Sequence, residues 1–212
     1  MPKRGVFITF EGGEGAGKST QAKLLAAALR RAGRDVVATR EPGGAPGAEA
    51  IRKMLVRGKA ERWTPLAEAL LFSAARAEHV EKTIEPALAA GYDVVCDRFA
   101  DSTMAYQGHV RGVDMEFIAA LTDEAAEGCT PDLTLILDLP PEQGLKRAKK
   151  RGGKEHRFEK FDLTFHRFLR RAFLVIAKAE PKRCVVIDGA RAPKDVARAV
   201  LAAVRERLRI RV

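Results

Sequence analysis

The 212-residue chain predicts one doubly wound α/β domain built on five parallel strands, and three observations carry that reading. Short apolar runs rich in β-branched residues alternate with longer stretches of helical periodicity from one end of the chain to the other. The run Leu133-Thr134-Leu135-Ile136-Leu137-Asp138 is almost wholly apolar, as a strand must be when helices cover both faces of its sheet. The first such run leads directly into Gly12-Gly13-Glu14-Gly15-Ala16-Gly17-Lys18-Ser19, which fits the phosphate-binding pattern G-x-x-x-x-G-K-[ST] at every specified position.

Taken in order, residues 6–10 form the first strand and residues 19–32 the first helix, with Leu24, Leu25, Ala28 and Leu29 at helical spacing and Gly33 as the stop. Residues 35–39 are the second strand. The loop Arg40-Glu41-Pro42-Gly43-Gly44 then lies at its carboxyl end, where open parallel sheets bind ligands. A short helix over 48–56 precedes a longer one that starts from Thr64 as cap and Pro65 at the first helical position, and that Pro86 should kink or divide. The third strand, 92–96, ends in the charged pair Asp97-Arg98. Residues 99–112 are rich in polar residues and glycine, and helical pattern resumes only over 115–126. Leu133 to Asp138 is the fourth strand, and Pro141 opens the next helix. From Lys146 to Arg157 the chain is charge-dense and broken by Gly152-Gly153, which reads as a mobile segment. A helix carrying Phe161, Phe165, Phe168 and Leu169 follows, then the fifth strand, 184–188, and a last helix with Val196, Val200, Val204 and Leu208 at steps of four. No repeat or long linker divides the chain, so residues 1–212 read as a single domain.

Composition narrows the function. The net charge of +10 lies entirely in the C-terminal third: residues 1–139 hold 17 Lys+Arg against 20 Asp+Glu, and residues 140–212 hold 21 against 8. Such a basic third suits either nucleic acid or a site that must hold several phosphates at once; base-stacking aromatics are not interleaved with these charges, which favours the second. Cys96, Cys129 and Cys184 are far apart with no C-x-x-C, so neither a zinc site nor a disulfide framework is expected, and a cytoplasmic protein fits best. No stretch is long and apolar enough for a signal peptide or a membrane span. His79, His109, His156 and His166 lack metal spacing and read as surface residues.

In the glycine-rich motif, backbone N–H groups converge on phosphate oxygens and the start of the helix adds partial positive charge. Lys18, on an exposed loop, would reach the outer phosphates, and the Ser19 hydroxyl would sit on Mg²⁺. Asp97, at the end of an apolar strand, is the type of carboxylate that holds Mg²⁺ or its waters; the bland reading is a turn cap. Arg98 needs a partner if it is buried, either Asp97 or a bound anion, and the anion is favoured. Phe72 and Arg76 share a helix face four residues apart, an arrangement that a core ring and a surface cation would also produce.

Five segments together give the chain a resemblance to thymidylate kinases, the P-loop nucleoside-monophosphate kinases that act on dTMP: residues 10–20 (FEGGEGAGKST), 39–44 (TREPGG), 71–76 (LFSAAR), 97–108 (DRFADSTMAYQG) and 131–138 (PDLTLILD). The resemblance spans nearly the whole chain. It implies that Gly12, Gly13, Glu14, Gly15, Ala16, Gly17, Lys18, Ser19 and Thr20 bind ATP, with Ser19 and Asp97 toward Mg²⁺. It also implies that Phe72 stacks on thymine, that Arg76 and Arg98 hold the dTMP phosphate, and that Tyr106 faces the deoxyribose 2′ position. Thr103 and Gln107 would lie near the base, Glu14 near the acceptor sugar and Arg40 near the phosphates. The basic segment of about 147–158 corresponds to a small mobile lid, and Arg147, Arg151 and Arg157 in it are the candidates for a catalytic arginine beside Lys18 and Asp97. In that lid His156-Arg157 stands where Asp-Arg is frequent, and Phe173 replaces a frequent tyrosine. The resemblance further implies a homodimer. The expected reaction is transfer of the ATP γ-phosphoryl group to dTMP; a kinase for another nucleoside monophosphate and a nucleic-acid-binding P-loop ATPase are the alternatives.

Overall fold

A computed structural model describes residues 4–152 and 157–212, Arg151 by its backbone alone. Five parallel strands, β1 (Phe7–Glu11), β2 (Val36–Arg40), β3 (Asp93–Asp97), β4 (Leu133–Asp138) and β5 (Cys184–Asp188), form one sheet in the order β2-β3-β1-β4-β5. The strand that feeds the glycine-rich loop is therefore central, with β3 on one side (Phe10 beside Asp97) and β4 on the other (Phe10 beside Leu135). Chain order reverses direction across β1, so the crevice at its carboxyl end is the topological switch point of the sheet.

Alternation along each strand sorts the core into two layers. Ile8, Phe10, Val95, Leu135, Leu137 and Ile187 face α1 (Lys18–Arg31) and α9 (Pro193–Leu208), meeting Leu25, Leu29, Val196, Val200 and Val204. On the opposite face Phe7, Val94 and Cys96 pack under Val80, Ile84, Leu88 and Phe99, while Ile136 meets Leu169, Phe173 and Ile176 of α8 (Leu163–Ala179). Each fully buried leucine among these, such as Leu29, contributes roughly 2–3 kcal/mol by removal of its surface from water.

Helix starts follow the expected chemistry. Thr64 accepts from the Ala67 N–H at the head of α3 (Pro65–His79), and Asp162 accepts from the Phe165 N–H at the head of α8. Pro86 does divide its helix: a π-helical turn over Val80–Ile84 separates α3 from α4 (Glu85–Ala89), widening the backbone just where the proline lacks an N–H. The stretch after β3 differs from expectation. It is helical, as α5 (Ala100–Thr103) followed by a π-helical segment over Met104–Val110. Gly108, which suggests a turn, instead permits close packing, since a Cβ there would stand 2.5 Å from Met115 Sδ at the start of α6 (Met115–Ala126). The two remaining helices are α2 (Pro46–Leu55) and α7 (Pro141–Arg151). The amino-terminal half of the expected lid, residues 147–151, thus continues α7, and residues 153–156 lie outside the described residues. No helix among the described residues is long and apolar enough to cross a membrane.

Candidate active site

The carboxyl ends of β1, β2 and β3 open into a cleft of about 1160 Å³, floored by the glycine-rich loop and walled by α3 and the segment after β3. Three loop glycines have positive φ: Gly12 (128°), Gly15 (69°) and Gly17 (98°). Two of them also answer a packing demand, because a Cβ on Gly12 would lie 2.5 Å from Leu137 O and one on Gly15 2.0 Å from Gly144 O. The loop is thereby pressed against β4 and α7.

Lys18 is buried rather than exposed, and its Nζ donates to the carbonyls of Gly12 (3.0 Å) and Gly13 (2.8 Å). Burial, with the neighbouring Arg98 charge, lowers its pKa to about 8. The Ser19 hydroxyl donates to the Asp97 carboxylate, so the two residues expected to face a metal are already side by side. Both are oxygen donors, the type that Mg²⁺ takes. No group of three or more His, Cys, Asp or Glu side chains able to hold a metal unaided occurs among the described residues. A cation at Ser19 and Asp97 would therefore draw its other ligands from phosphate and water.

The side-chain hydrogen bonds of Arg98 go to residues other than Asp97. Its Nη2 donates to Glu14 Oε1 (2.9 Å) and to the Tyr106 hydroxyl (3.0 Å), and its Nη1 to Ser102 Oγ (3.0 Å) and Gly12 O (3.2 Å). The loop's own carboxylate pairs with the charge directly, and Asp97 acts on it from nearby without a hydrogen bond. Tyr106 in turn donates to Glu14 Oε1 (2.7 Å), closing a triangle of three side chains. Burial alone would raise the Glu14 pKa, but Arg98, Lys18 and the tyrosine hydrogen bond outweigh it and hold the group at about 2. Arg98 itself sits at φ 74°, a left-handed conformation uncommon for a side-chain-bearing residue.

That turn is held by Glu11, a wholly buried carboxylate to which the sequence reading gave no role. Its Oε1 accepts from the N–H groups of Phe99 (2.7 Å) and Ser102 (3.2 Å), and its Oε2 accepts from Ser102 Oγ (2.6 Å). Burial and the nearby Asp101 charge raise its pKa to about 7. Glu41 was missed likewise. It pairs with Arg76 Nε (3.0 Å) and contacts His79 Nδ1 (3.1 Å), while Arg76 Nη2 donates to Thr103 Oγ1 (2.9 Å). Arg76 is 1% exposed, and its Nη1 has no hydrogen-bond partner. A buried guanidinium with an idle N–H on a cleft wall is an anion or carbonyl receptor awaiting its ligand. His79 and His166 are buried and not the surface residues the sequence suggested.

The aromatic wall holds Phe72, Tyr106 and Phe158, with Phe72–Phe158 centroids 6.0 Å apart and Tyr106 edge-on to Phe158 at 5.3 Å. A flat ring can be received against it, with the Arg76 guanidinium nearby on the same helix.

This arrangement, a phosphate-binding loop facing a base-sized aromatic wall that carries its own cations, has close counterparts. The model of the family described as thymidylate kinase matches residues 10–200. The chain belongs to the thymidylate kinase family. It is 59% identical to the thymidylate kinase of Caulobacter vibrioides over 87% of this chain and 88% of that one, and 52% identical to that of Dinoroseobacter shibae over 95% and 97%. The crystal structure of thymidylate kinase from Ehrlichia chaffeensis superposes with a TM-score of 0.77 at 36% identity, covering 95% of this chain and 99% of that one.

Within this thymidylate kinase fold, the cleft is lined by Glu14 to Thr20, Arg40, Phe72, Arg76, Asp97, Arg98, Thr103, Tyr106, Gln107 and Arg147. Arg40 is half exposed and bonded to Glu49 (3.1 Å). Arg147 donates to the carbonyls of Gly189 (2.9 Å) and Ala190 (3.3 Å) in the loop after β5. Arg157 departs from expectation. It is 1% exposed, pairs with the buried Glu68, and donates to the carbonyls of Leu55 (3.2 Å), Lys59 (3.0 Å) and Ala60 (2.6 Å). With its donors spent on the chain's own acceptors and its place outside the cleft lining, it is a structural clamp between the segment after residue 156 and the α2–α3 connection.

Proposed function

We infer that the chain transfers the γ-phosphoryl group of ATP to dTMP, giving dTDP and ADP, a step in the supply of dTTP. The observation that carries this reading, beside family membership, is that one cleft joins the glycine-rich loop with Lys18 to the Phe72–Arg76 helix face with its idle Nη1. Lys18 and the backbone N–H groups of residues 12–20 would hold the donor phosphates. Arg76 and Arg98 would hold the acceptor phosphate, Phe72 the thymine face, and Tyr106 would crowd a ribose 2′-hydroxyl so that deoxyribonucleotides are preferred. Thr103 and Gln107 stand at the base, Glu14 at the acceptor sugar and Arg40 toward the phosphates. Mg²⁺, when bound at Ser19 and Asp97, supplies charge neutralisation between the two anionic substrates.

Two anions must meet in line, so positioning and charge balance matter more than covalent chemistry. Arg147, already at the cleft, and Arg151, on the same helix, are the remaining candidates in the basic segment to reach the transferring phosphoryl group. Residues 1–212 act as one kinase domain. Exposed Leu66 and Leu70 on α3 and Phe117 on α6 (49%, 46% and 42%) support a homodimer through these helices. Three buried free cysteines support a reducing, cytoplasmic setting.

The test is a coupled ADP-release assay over a panel of nucleoside monophosphates, with DNA and RNA as controls. The reading requires dTMP to give the highest kcat/KM. A better acceptor elsewhere in the panel, or stimulation by nucleic acid with steep salt dependence, would replace it.

A further inference from the structure

Gln107 is 1% exposed and lines the cleft, and its Nε2 donates to Glu68 Oε1 (2.8 Å). Glu68 is wholly buried on α3, with Arg111 Nη1 on the same oxygen (3.4 Å) and Arg157 paired to the other. The two guanidinium groups pair with both oxygens of this buried carboxylate, and a carboxylate paired in this way accepts hydrogen bonds and donates none. The Gln107 amide can satisfy such a neighbour in one orientation only, NH₂ toward Glu68 and carbonyl toward the opposite side. That carbonyl oxygen takes no hydrogen bond from any described residue. Sequence reading singled out Gln107 and left Glu68 as an ordinary helix residue.

We propose that Glu68 is a positioning residue for base selection: by locking the Gln107 amide it makes the cleft present a hydrogen-bond acceptor, so that the site takes pyrimidines with an N–H on that edge and rejects those with a lone pair there. Thymine and uracil carry N3–H; cytosine carries an unprotonated N3. The acceptor opposes the cytosine lone pair, and a cleft built around a hydrogen bond discriminates strongly against an analogue that cannot make it. The inference rests on the proposed reading of this cleft as the dTMP site. It extends that reading from contact with the base to the group that fixes the direction of the contact.

The decisive pair of substrates is dUMP and dCMP, which are alike in size and differ on the edge in question. In Glu68→Gln the neighbour can both donate and accept, so the Gln107 amide is free to turn. The ratio of kcat/KM for dUMP to that for dCMP should fall at least about tenfold, with the value for dCMP rising, while KM for ATP stays within about twofold. A purely structural role for Glu68 would lower both acceptors together and leave the ratio within about threefold, which overturns the proposal. Should Glu68→Gln not fold, Gln107→Met in the otherwise native chain removes the acceptor at nearly constant volume. Collapse of the same ratio then supports the proposal, and its retention overturns it. Turnover of dTMP by the unsubstituted enzyme reports separately on the functional reading.

Discussion

Glu11→Gln tests whether the strained turn that delivers Arg98 carries an electrostatic cost. The Glu11 pKa is raised from 4.5 to about 7, so the folded state resists losing this proton where the unfolded chain gives it up freely. The sign follows: the stability that the neutral carboxyl contributes is complete below pH 4.5 and is lost as pH rises through 7. At about 1.4 kcal/mol per pKa unit, the cost of ionisation grows from roughly 1 kcal/mol at pH 5 to roughly 3 kcal/mol at pH 8. A glutamine keeps the geometry, since its carbonyl can accept from the Phe99 and Ser102 N–H groups and its NH₂ can donate to Ser102 Oγ. Urea unfolding of both proteins from pH 5 to pH 8, with unchanged m-values, should therefore show the stability difference moving by about 2 kcal/mol in favour of the variant as pH rises. Parallel stability curves, within about 0.5 kcal/mol, would show that Glu11 does not titrate in this window and would refute the assignment.

Lys18→Met should reduce kcat by roughly 10²-fold or more with the fold intact, read by ADP release and thermal unfolding, and in the native enzyme KM for ATP should rise above pH 8 as the Nζ charge is lost. Arg76→Ala should raise KM for dTMP about tenfold or more and leave KM for ATP nearly unchanged, at a stability cost of roughly 3–5 kcal/mol because the buried Glu41 loses its guanidinium partner. Of Arg147→Ala and Arg151→Ala, at least one should lower kcat by roughly 10²-fold with little change in KM for dTMP; if both stay within about threefold, the catalytic cation lies elsewhere. Arg157→Ala should instead act on stability, by roughly 3 kcal/mol or more in urea unfolding, since it removes the guanidinium on Oε2 of the buried Glu68 and leaves Arg111 and Gln107 on the other oxygen.

The sheet was legible because each strand is a compact apolar run and the helices between them keep their period; β4 and β5 coincide with residues 133–138 and 184–188 as read from the sequence. Residues 99–112 were not, for a physical reason. Helices over Ala100–Thr103 and Met104–Val110 gain their stability from tertiary packing rather than intrinsic propensity, with Tyr106 against Phe158 and Phe173 and Gly108 against Met115. A one-dimensional pattern carries no record of those neighbours.

The site divides along the same line. Lys18, Ser19 and Asp97 announced themselves because motif spacing or a strand end marks them, whereas Phe72 and Arg76 took on their roles only through the family resemblance; all five line one cleft. The carboxylates that hold the cations did not, because each lies far along the chain from its arginine: Glu41 from Arg76 by 35 residues, Glu14 from Arg98 by 84. Local spacing cannot reveal such pairs, yet they decide what the site can do. An arginine buried alone would be driven out of the low-dielectric cleft or would bend the wall toward water. Paired with a glutamate it stays desolvated and aimed, so that much of the cost of burying the charge is met at folding and less of it falls on substrate binding. The idle Nη1 of Arg76 is the remainder of that arrangement: two of its guanidinium nitrogens are held by the protein at Glu41 and Thr103, which leaves the third fixed in direction and free to take an incoming oxygen.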